Sequence, residues 1–210
     1  MAEWKWTLLI YRVPTEPASK RMAVWRDLKR LGALYLQQCV CILPRLDTVR
    51  DELDRIAARI PTLGGEYTRF ELPRLPPEDE SKIIASFRTL RNKEYAEIVE
   101  ECETKFVKEI EFEHFRQNYT FEEAEEISQD LEKIRRWFAR VTERDWFAAD
   151  GRQAVEGWIV RCQELLDGFE QAVYRRRGND ADGPDDTTLA GGASPPPPDL
   201  GKCDVKGAGE

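Results

Sequence analysis

The order of apolar and polar positions predicts a strand, a helix and two more strands at the start of the chain. Residues 6–13 form a short apolar run rich in aromatic and β-branched side chains, and Pro14 ends it, as expected of a buried strand. Residues 17–32 then show helical periodicity and end at a glycine. The apolar stripe predicted for this helix consists of Met22, Val24, Trp25, Leu28 and Leu31. Residues 33–43 are strand-like again, with a tight bend expected near Gln37-Gln38.

The residues that follow complete a known unit. Residues 48–60 place their apolar side chains on one helical face, Gly64-Gly65 indicates a turn, and residues 66–72 are typical of a last strand. The resulting order, β-α-β-β-α-β, is that of a ferredoxin-like fold in which two helices cover a four-stranded sheet. We therefore predict an α+β protein with a ferredoxin-like βαββαβ domain in residues 1–75.

Long helical periodicity begins after Pro76-Pro77 and predicts a helical bundle in residues 76–177. The first stretch, 84–106, is expected to form one helix, or two with a break near Arg91-Asn92. A second helix is predicted to begin at Thr120, because Glu123 three residues later completes a capping box.

The end of the chain divides into a third helix and a tail. Apolar residues recur at helical spacing over about 153–176, which predicts the last helix of the bundle. Residues 178–210 are rich in Gly, Asp, Pro and Ala, and such a composition buries too little apolar area to fold. We expect a disordered C-terminal tail there.

The net charge of −8 hides an asymmetry along the chain. Residues 1–75 carry 13 Lys and Arg against 9 Asp and Glu, whereas residues 76–178 carry 17 against 24. A basic face on the first domain is compatible with a polyanionic partner, whatever the overall charge. The chain has no apolar run near the roughly 20 residues that span a bilayer and no signal-like N-terminus. We expect a cytoplasmic protein without a membrane partner.

A cluster of cations is predicted on the outer face of the first helix. With Arg12 from the preceding strand, these residues are the candidate nucleic-acid-binding side chains, and they could neutralise several phosphates of DNA. Two alternatives stay open: an ordinary solvated helix face, and the collection of chromate, a dianion, by the same cations. The candidate residues are Arg12, Lys20, Arg21, Arg26, Lys29 and Arg30.

The remaining candidates for chemistry are few. Cys39 and Cys41 alternate in a predicted strand and would face one side, where two thiols could bind a soft metal or reduce Cr(VI); buried free cysteine is the plainer interpretation. Glu111 and His114 have the spacing of a di-iron ligand pair, but the chain has one histidine. We place no catalytic set, metal or cofactor, and expect a protein that is not an enzyme.

The amino-acid sequence of several segments resembles the N-terminal region of the bacterial chromate-resistance regulator family ChrB. The resemblance covers roughly residues 4–170 and implies a chromate-responsive, DNA-binding repressor of a chromate efflux operon. In that family a second, smaller domain usually follows, and here the predicted tail stands in its place. The segments that carry the resemblance are Tyr11 to Pro14, Val24 to Arg26, Leu28 to Ala33, Tyr35 to Gln38, Glu94 to Glu97, Glu100 to Glu103, Leu131 to Trp137 and Arg144 to Phe147.

A more distant resemblance covers the βαββαβ unit alone. It looks like the small ferredoxin-like nuclease subunit of CRISPR systems and the related domain of phenylacetate-pathway repressors. The nuclease chemistry depends on an acidic residue at the end of the first strand, and this chain has Arg12 there, which repels a metal ion and attracts a phosphate. The resemblance therefore implies the fold and a tendency to form homodimers, without nuclease activity.

Together these features predict a chromate-resistance protein that acts as a DNA-binding transcriptional regulator of an efflux operon, or as an accessory of one. Chromate is the expected effector, and a second copy or another chain is an expected partner. A first alternative is a chromate-binding or thiol redox protein that uses Arg12, Cys39 and Cys41. A second alternative is a non-enzymatic interaction module whose helical stripes dock a partner.

Overall fold

The computed structural model describes residues 4–181, with side chains described as far as residue 178. Four strands form one antiparallel sheet in the order β2-β3-β1-β4. This strand order and the intervening helices confirm the predicted α+β, ferredoxin-like arrangement. The strands are β1 (Trp6–Arg12), β2 (Leu34–Gln37), β3 (Val40–Pro44) and β4 (Glu66–Leu72).

Six α-helices accompany the sheet in residues 4–181. The third and fourth are joined without interruption by a π-helical turn at Cys102–Phe106. The helices are α1 (Ala18–Leu31), α2 (Asp47–Thr62), α3 (Pro77–Glu101), α4 (Val107–Arg116), α5 (Phe121–Thr142) and α6 (Arg152–Ala181).

One face of the sheet packs against α1 and α2. Leu9 and Tyr11 alternate along β1 and lie in one buried cluster with Val24 and Leu28 of α1 and Leu53 of α2. Alternation in a strand sends these two side chains to the helix side, and sends their neighbours to the other side. Burial of this cluster holds α1 in a fixed position over the sheet.

The other face of the sheet is only partly covered. Trp6 of β1 is fully buried against Phe87 of α3 and Phe147, which belong to one aromatic cluster. Further along the same face, Ile10 and Phe70 are 39% and 46% exposed. The helical region thus packs onto one end of the sheet and leaves the other end open.

The helical region buries a continuous core among α3, α5 and α6. The Thr120 half of its predicted capping box is present, because the Glu123 backbone N–H donates to Thr120 Oγ1 at 3.2 Å, while the Glu123 carboxylate accepts from Asn118. The break considered near Arg91-Asn92 is wrong, since α3 runs through both residues and Arg91 is buried. The irregularity falls instead at the π-helical turn, where Cys102 faces Cys162 of α6. A single π-helical turn, with hydrogen bonds from i to i+5, shifts the helical repeat too little to be recognised from the spacing of apolar residues.

The predicted tail begins later than its composition suggested. Helix α6 continues to Ala181, and the rest of the predicted tail, residues 182–210, lies outside the described residues. None of the helices within residues 4–181 combines the length and apolar character needed to cross a membrane.

Candidate nucleic-acid interface

Helix α1 is fixed by a few clear local signals. Val24 and Leu28 are buried against the sheet. Gly32 ends the helix in the left-handed conformation, with φ of 94°, as is common directly after a helix. Lys29 and Arg30 lie in the last turn, where cations interact favourably with the helix dipole.

Helix α1 carries five candidate cations, and four of them have no acidic partner within residues 4–178. Arg26, Lys29 and Arg30 are exposed, whereas Lys20 and Arg21 are partly buried. Within residues 4–178, Arg30 pairs with Asp27 at 3.1 Å, and no carboxylate lies within ion-pair distance of the other four cations. Unpaired cations on one helix keep their charge available to an external anion.

Two apolar residues of α1 lie among these cations rather than in the core. Met22 is 44% exposed and Trp25 is 36% exposed, so the prediction that both belong to the buried stripe is wrong. Val24 and Leu28 are the buried residues of α1, whereas Met22 and Trp25 line a cavity beside the β2–β3 hairpin. The Lys29 Nζ lies 5.2 Å from the centroid of the Trp25 ring. The same helix face therefore presents cations and an aromatic surface.

Arg12 lies apart from the α1 cations. It ends β1 opposite Glu66 of β4, and their side chains are 3.9 Å apart and largely exposed. By strand alternation Arg12 shares the open sheet face with Ile10, whereas α1 covers the face that carries Tyr11. The structure brings together the five candidate cations of α1, and it does not bring Arg12 to them.

The two candidate cysteines do not form the expected pair. Cys39 lies in the β2–β3 turn, with a left-handed φ of 65°, and Cys41 lies in β3; the prediction that both alternate in one strand is wrong. The chain has to turn at Cys39 because β2 and β3 form a tight hairpin. Burial raises the pKa of Cys41 to about 12, which keeps the thiol protonated and unreactive at neutral pH. Cys41 also faces α1, on the opposite side of the sheet from Arg12.

Glu111 and His114 show no metal-binding arrangement. His114 is exposed, and its Nδ1 lies 3.0 Å from the Tyr119 hydroxyl. Within the described part of the chain, no group of three or more His, Cys, Asp and Glu side chains is placed to hold a metal ion.

A network at the end of α1 was not foreseen from the sequence. Arg144, in the loop after α5, donates to the Arg30 carbonyl at 3.1 Å and to Glu94 Oε1 at 3.0 Å. Glu94 also accepts an ion pair from the buried Arg91 at 2.9 Å. Trp146 of the same loop packs against the sheet core. The only sequence signal for this contact was the Arg144 to Phe147 segment, which carried the family resemblance without a role.

The polar atoms of this network are not all paired within the protein. Buried Arg91 Nε and Arg144 Nε have no hydrogen-bond partner among the described residues. Burial lowers the pKa of Arg91, while the nearby Glu94 carboxylate opposes that change. The mutual dependence of these charges ties the C-terminal end of α1 to the helical region.

Comparison with known proteins identifies a family and one relative with a similar sequence. A family model described as "Protein ChrB, N-terminal" matches residues 21–180, from within α1 to within the last turn of α6. Protein ChrB of Cupriavidus metallidurans is 32% identical over 95 residues, which cover 45% of this chain and 29% of the relative. No solved structure matches. Because the family match covers more than half of the chain, including strands β2 to β4 and almost all of the helical region, this chain belongs to the ChrB N-terminal family.

Proposed function

We propose that this protein acts in chromate resistance as a DNA-binding regulator of an efflux operon, or as an accessory of such a regulator. The observation that carries the proposal is the set of α1 cations that lack acidic partners among residues 4–178. Membership of the ChrB N-terminal family supports the link to chromate that the sequence resemblance implied. The alignment with Protein ChrB of Cupriavidus metallidurans covers only 29% of that protein. Any role taken from the whole relative is therefore proposed for this chain.

In the proposed complex, α1 lies along the phosphates of a DNA duplex. Arg26 and Lys29 are exposed and have no ion pair within residues 4–178, so they reach phosphate oxygens without giving up a carboxylate partner. Each phosphate neutralised releases counterions, which favours binding at low salt. Phosphate contacts position a protein on DNA, whereas base contacts give specificity.

We further propose that two copies pair through the open end of the sheet. Ile10 and Phe70 form an exposed apolar area on that face, and Arg12 and Glu66 lie at its edge. A twofold axis through this area would bring Arg12 of each copy toward Glu66 of the other, a self-complementary pattern. Such a dimer would set the spacing between two DNA half-sites. Phe70→Glu should convert the dimer to a monomer in light scattering; a monomeric unmodified protein would refute this pairing.

The alternative of a thiol redox protein has less support. Cys41 is buried with a raised pKa, and Arg12 lies on the other face of the sheet. An oxyanion held by Arg12 would therefore not meet the Cys41 sulfur. Chromate enters the proposal as the effector that releases DNA, and the proposed role is not enzymatic.

Fluorescence anisotropy on the protein's own promoter DNA tests the proposal, with a scrambled duplex as control, at two salt concentrations and with and without chromate. We expect specific, salt-sensitive binding that chromate releases. The triple variant Arg26→Ala, Lys29→Ala, Arg30→Ala should lose this binding while keeping its helical circular dichroism. Absence of binding by the unmodified protein even at low salt would reject the regulator role and favour a protein partner.

A further inference from the structure

A cavity of about 440 Å³ lies between α1 and the β2–β3 hairpin, and the exposed side chains of Arg26 and Lys29 do not line it. Its volume is within the range of small-molecule sites, which is roughly 300–1,000 Å³. Most of the lining is apolar, and its polar groups are one cation, two phenolic hydroxyls and the carboxamides of Gln37 and Gln38. The residues used in the argument are Tyr11, Arg21, Met22, Trp25, Tyr35 and Cys39.

The apolar walls suit a flat ring. Met22 and Trp25 both line the cavity, and both are exposed although their neighbours Val24 and Leu28 are buried. An indole surface and a thioether make favourable contacts with an aromatic ring. Large apolar side chains that are exposed on an otherwise polar helix face are typical of a site that binds a ligand or a partner.

The polar groups suit an anion. The hydroxyls of Tyr11 and Tyr35 lie 2.9 Å apart, and either one can be the donor. Whichever donates, the other keeps an O–H hydrogen that no further side chain among residues 4–178 accepts. Burial raises the pKa of both tyrosines, so both stay protonated and able to donate at neutral pH. Arg21 adds a positive charge, and no carboxylate within residues 4–178 pairs with it.

We propose that this cavity binds a small aromatic carboxylate. The ring would lie against Trp25 and Met22, and the carboxylate would accept from a tyrosine hydroxyl and from Arg21. A nucleobase of duplex DNA fits the cavity less well, because the base would first have to leave the stack and would bring no carboxylate. Arg21 is also one of the proposed DNA contacts, so a ligand in the cavity would weaken DNA binding. This effect on DNA rests on the proposed function, whereas binding of the ligand to the cavity does not depend on it.

Titration calorimetry with naphthoate as the probe and naphthamide as its uncharged counterpart tests the proposal. We expect saturable binding of naphthoate by the full chain, and binding of naphthamide weaker by about tenfold, because a charged hydrogen bond is lost. Arg21→Gln should weaken naphthoate binding by about tenfold for the same reason. Tyr11→Phe combined with Tyr35→Phe should do the same, because either hydroxyl alone could still donate to the carboxylate. Arg26→Gln is the matched control, since Arg26 lies on the same helix and does not line the cavity.

Several results would overturn the proposal. They are no saturable naphthoate binding at millimolar concentration, equal binding of naphthamide, or an equal loss in Arg26→Gln. Lost DNA affinity in the double variant Tyr11→Phe, Tyr35→Phe would indicate instead that DNA itself enters the cavity. Anisotropy with promoter DNA separates the two proposals: naphthoate bound by a protein that does not bind DNA would support the cavity and reject the regulator role.

Discussion

Helices α1 and α2 cover the same face of the same sheet, but they differ in what their cations contact. The three arginines of α2 all have carboxylate partners: Arg50 with Asp47 at 3.3 Å, Arg55 with Glu52 at 2.6 Å and Arg59 with Asp27 at 2.7 Å. Of the five cations of α1, Arg30 alone has such a partner within residues 4–178. Charge paired on its own surface offers little to an external anion, so the comparison teaches that composition alone does not locate a binding face.

The two helices also differ at their C-terminal ends. Helix α1 ends at Gly32 beneath Arg144 and Trp146 of the helical region. Helix α2 ends near Gly64, where a side chain would meet only Pro14. The free cations of α1 are thus held on a helix anchored at one end by the second region, and α2 lacks that anchor.

The largest expected effect comes from breaking the anchor. Glu94→Ala leaves the buried Arg91 and Arg144 without their shared carboxylate, which should lower the free energy of unfolding by about 3–5 kcal/mol. Glu52→Ala in α2 removes the partner of an exposed arginine and should cost less than about 1 kcal/mol. Urea unfolding measures both. Similar losses for the two variants would show that the Glu94 network contributes no more than a surface pair.

The next effect tests the charge difference directly. Arg26→Ala with Lys29→Ala should reduce the steepness of log affinity against log salt by about 1.8, as two phosphate contacts are lost. At about 0.15 M salt this corresponds to about thirtyfold weaker binding of promoter DNA. Arg50→Ala with Arg55→Ala changes the net charge by the same amount on α2 and should change affinity by less than about threefold. Anisotropy at several salt concentrations decides. If the α2 pair lost as much affinity, DNA would respond to total charge and not to the α1 face.

A smaller effect compares the two helix ends. Gly32 and Gly64 both have positive φ, 94° and 81°, so alanine is strained at either position by about 1 kcal/mol. A Cβ at Gly32 would also lie 3.0 Å from Trp146, whereas at Gly64 the nearest atom is 3.7 Å away. Gly32→Ala should therefore cost about 1 kcal/mol more than Gly64→Ala. Thermal unfolding of both variants checks this, and equal shifts would mean that the loop yields to the added methyl group.

The smallest expected effect comes from a variant that removes a carboxylate partner from both helices, so that their cations become more alike. Asp27 accepts from Arg30 of α1 and Arg59 of α2, so Asp27→Asn releases both cations. We expect promoter DNA affinity to rise by about threefold at low salt, because positive charge is added beside the α1 face. Anisotropy at low and high salt measures the gain. A decrease in affinity would indicate that Asp27 positions Arg30 for DNA instead of competing for it.

The sequence by itself determined the order of the elements and most of their bounds. Periodicity indicated β4 at residues 66–72, Gly32 indicated the end of α1, and Thr120 with Glu123 indicated the start of α5, because each signal depends on residues close in the chain. The cations of α1 were also visible, as charge is a property of the residue itself.

Only the tertiary structure decided which of these residues meet. Met22 and Trp25 have the spacing of core residues, but in the folded chain they line a cavity with Tyr11 and Tyr35. Arg144 meets the end of α1 across more than a hundred residues, and no local pattern encodes such a contact. Spacing along one element fixes which side chains share a face; what that face contacts depends on the other elements packed against it.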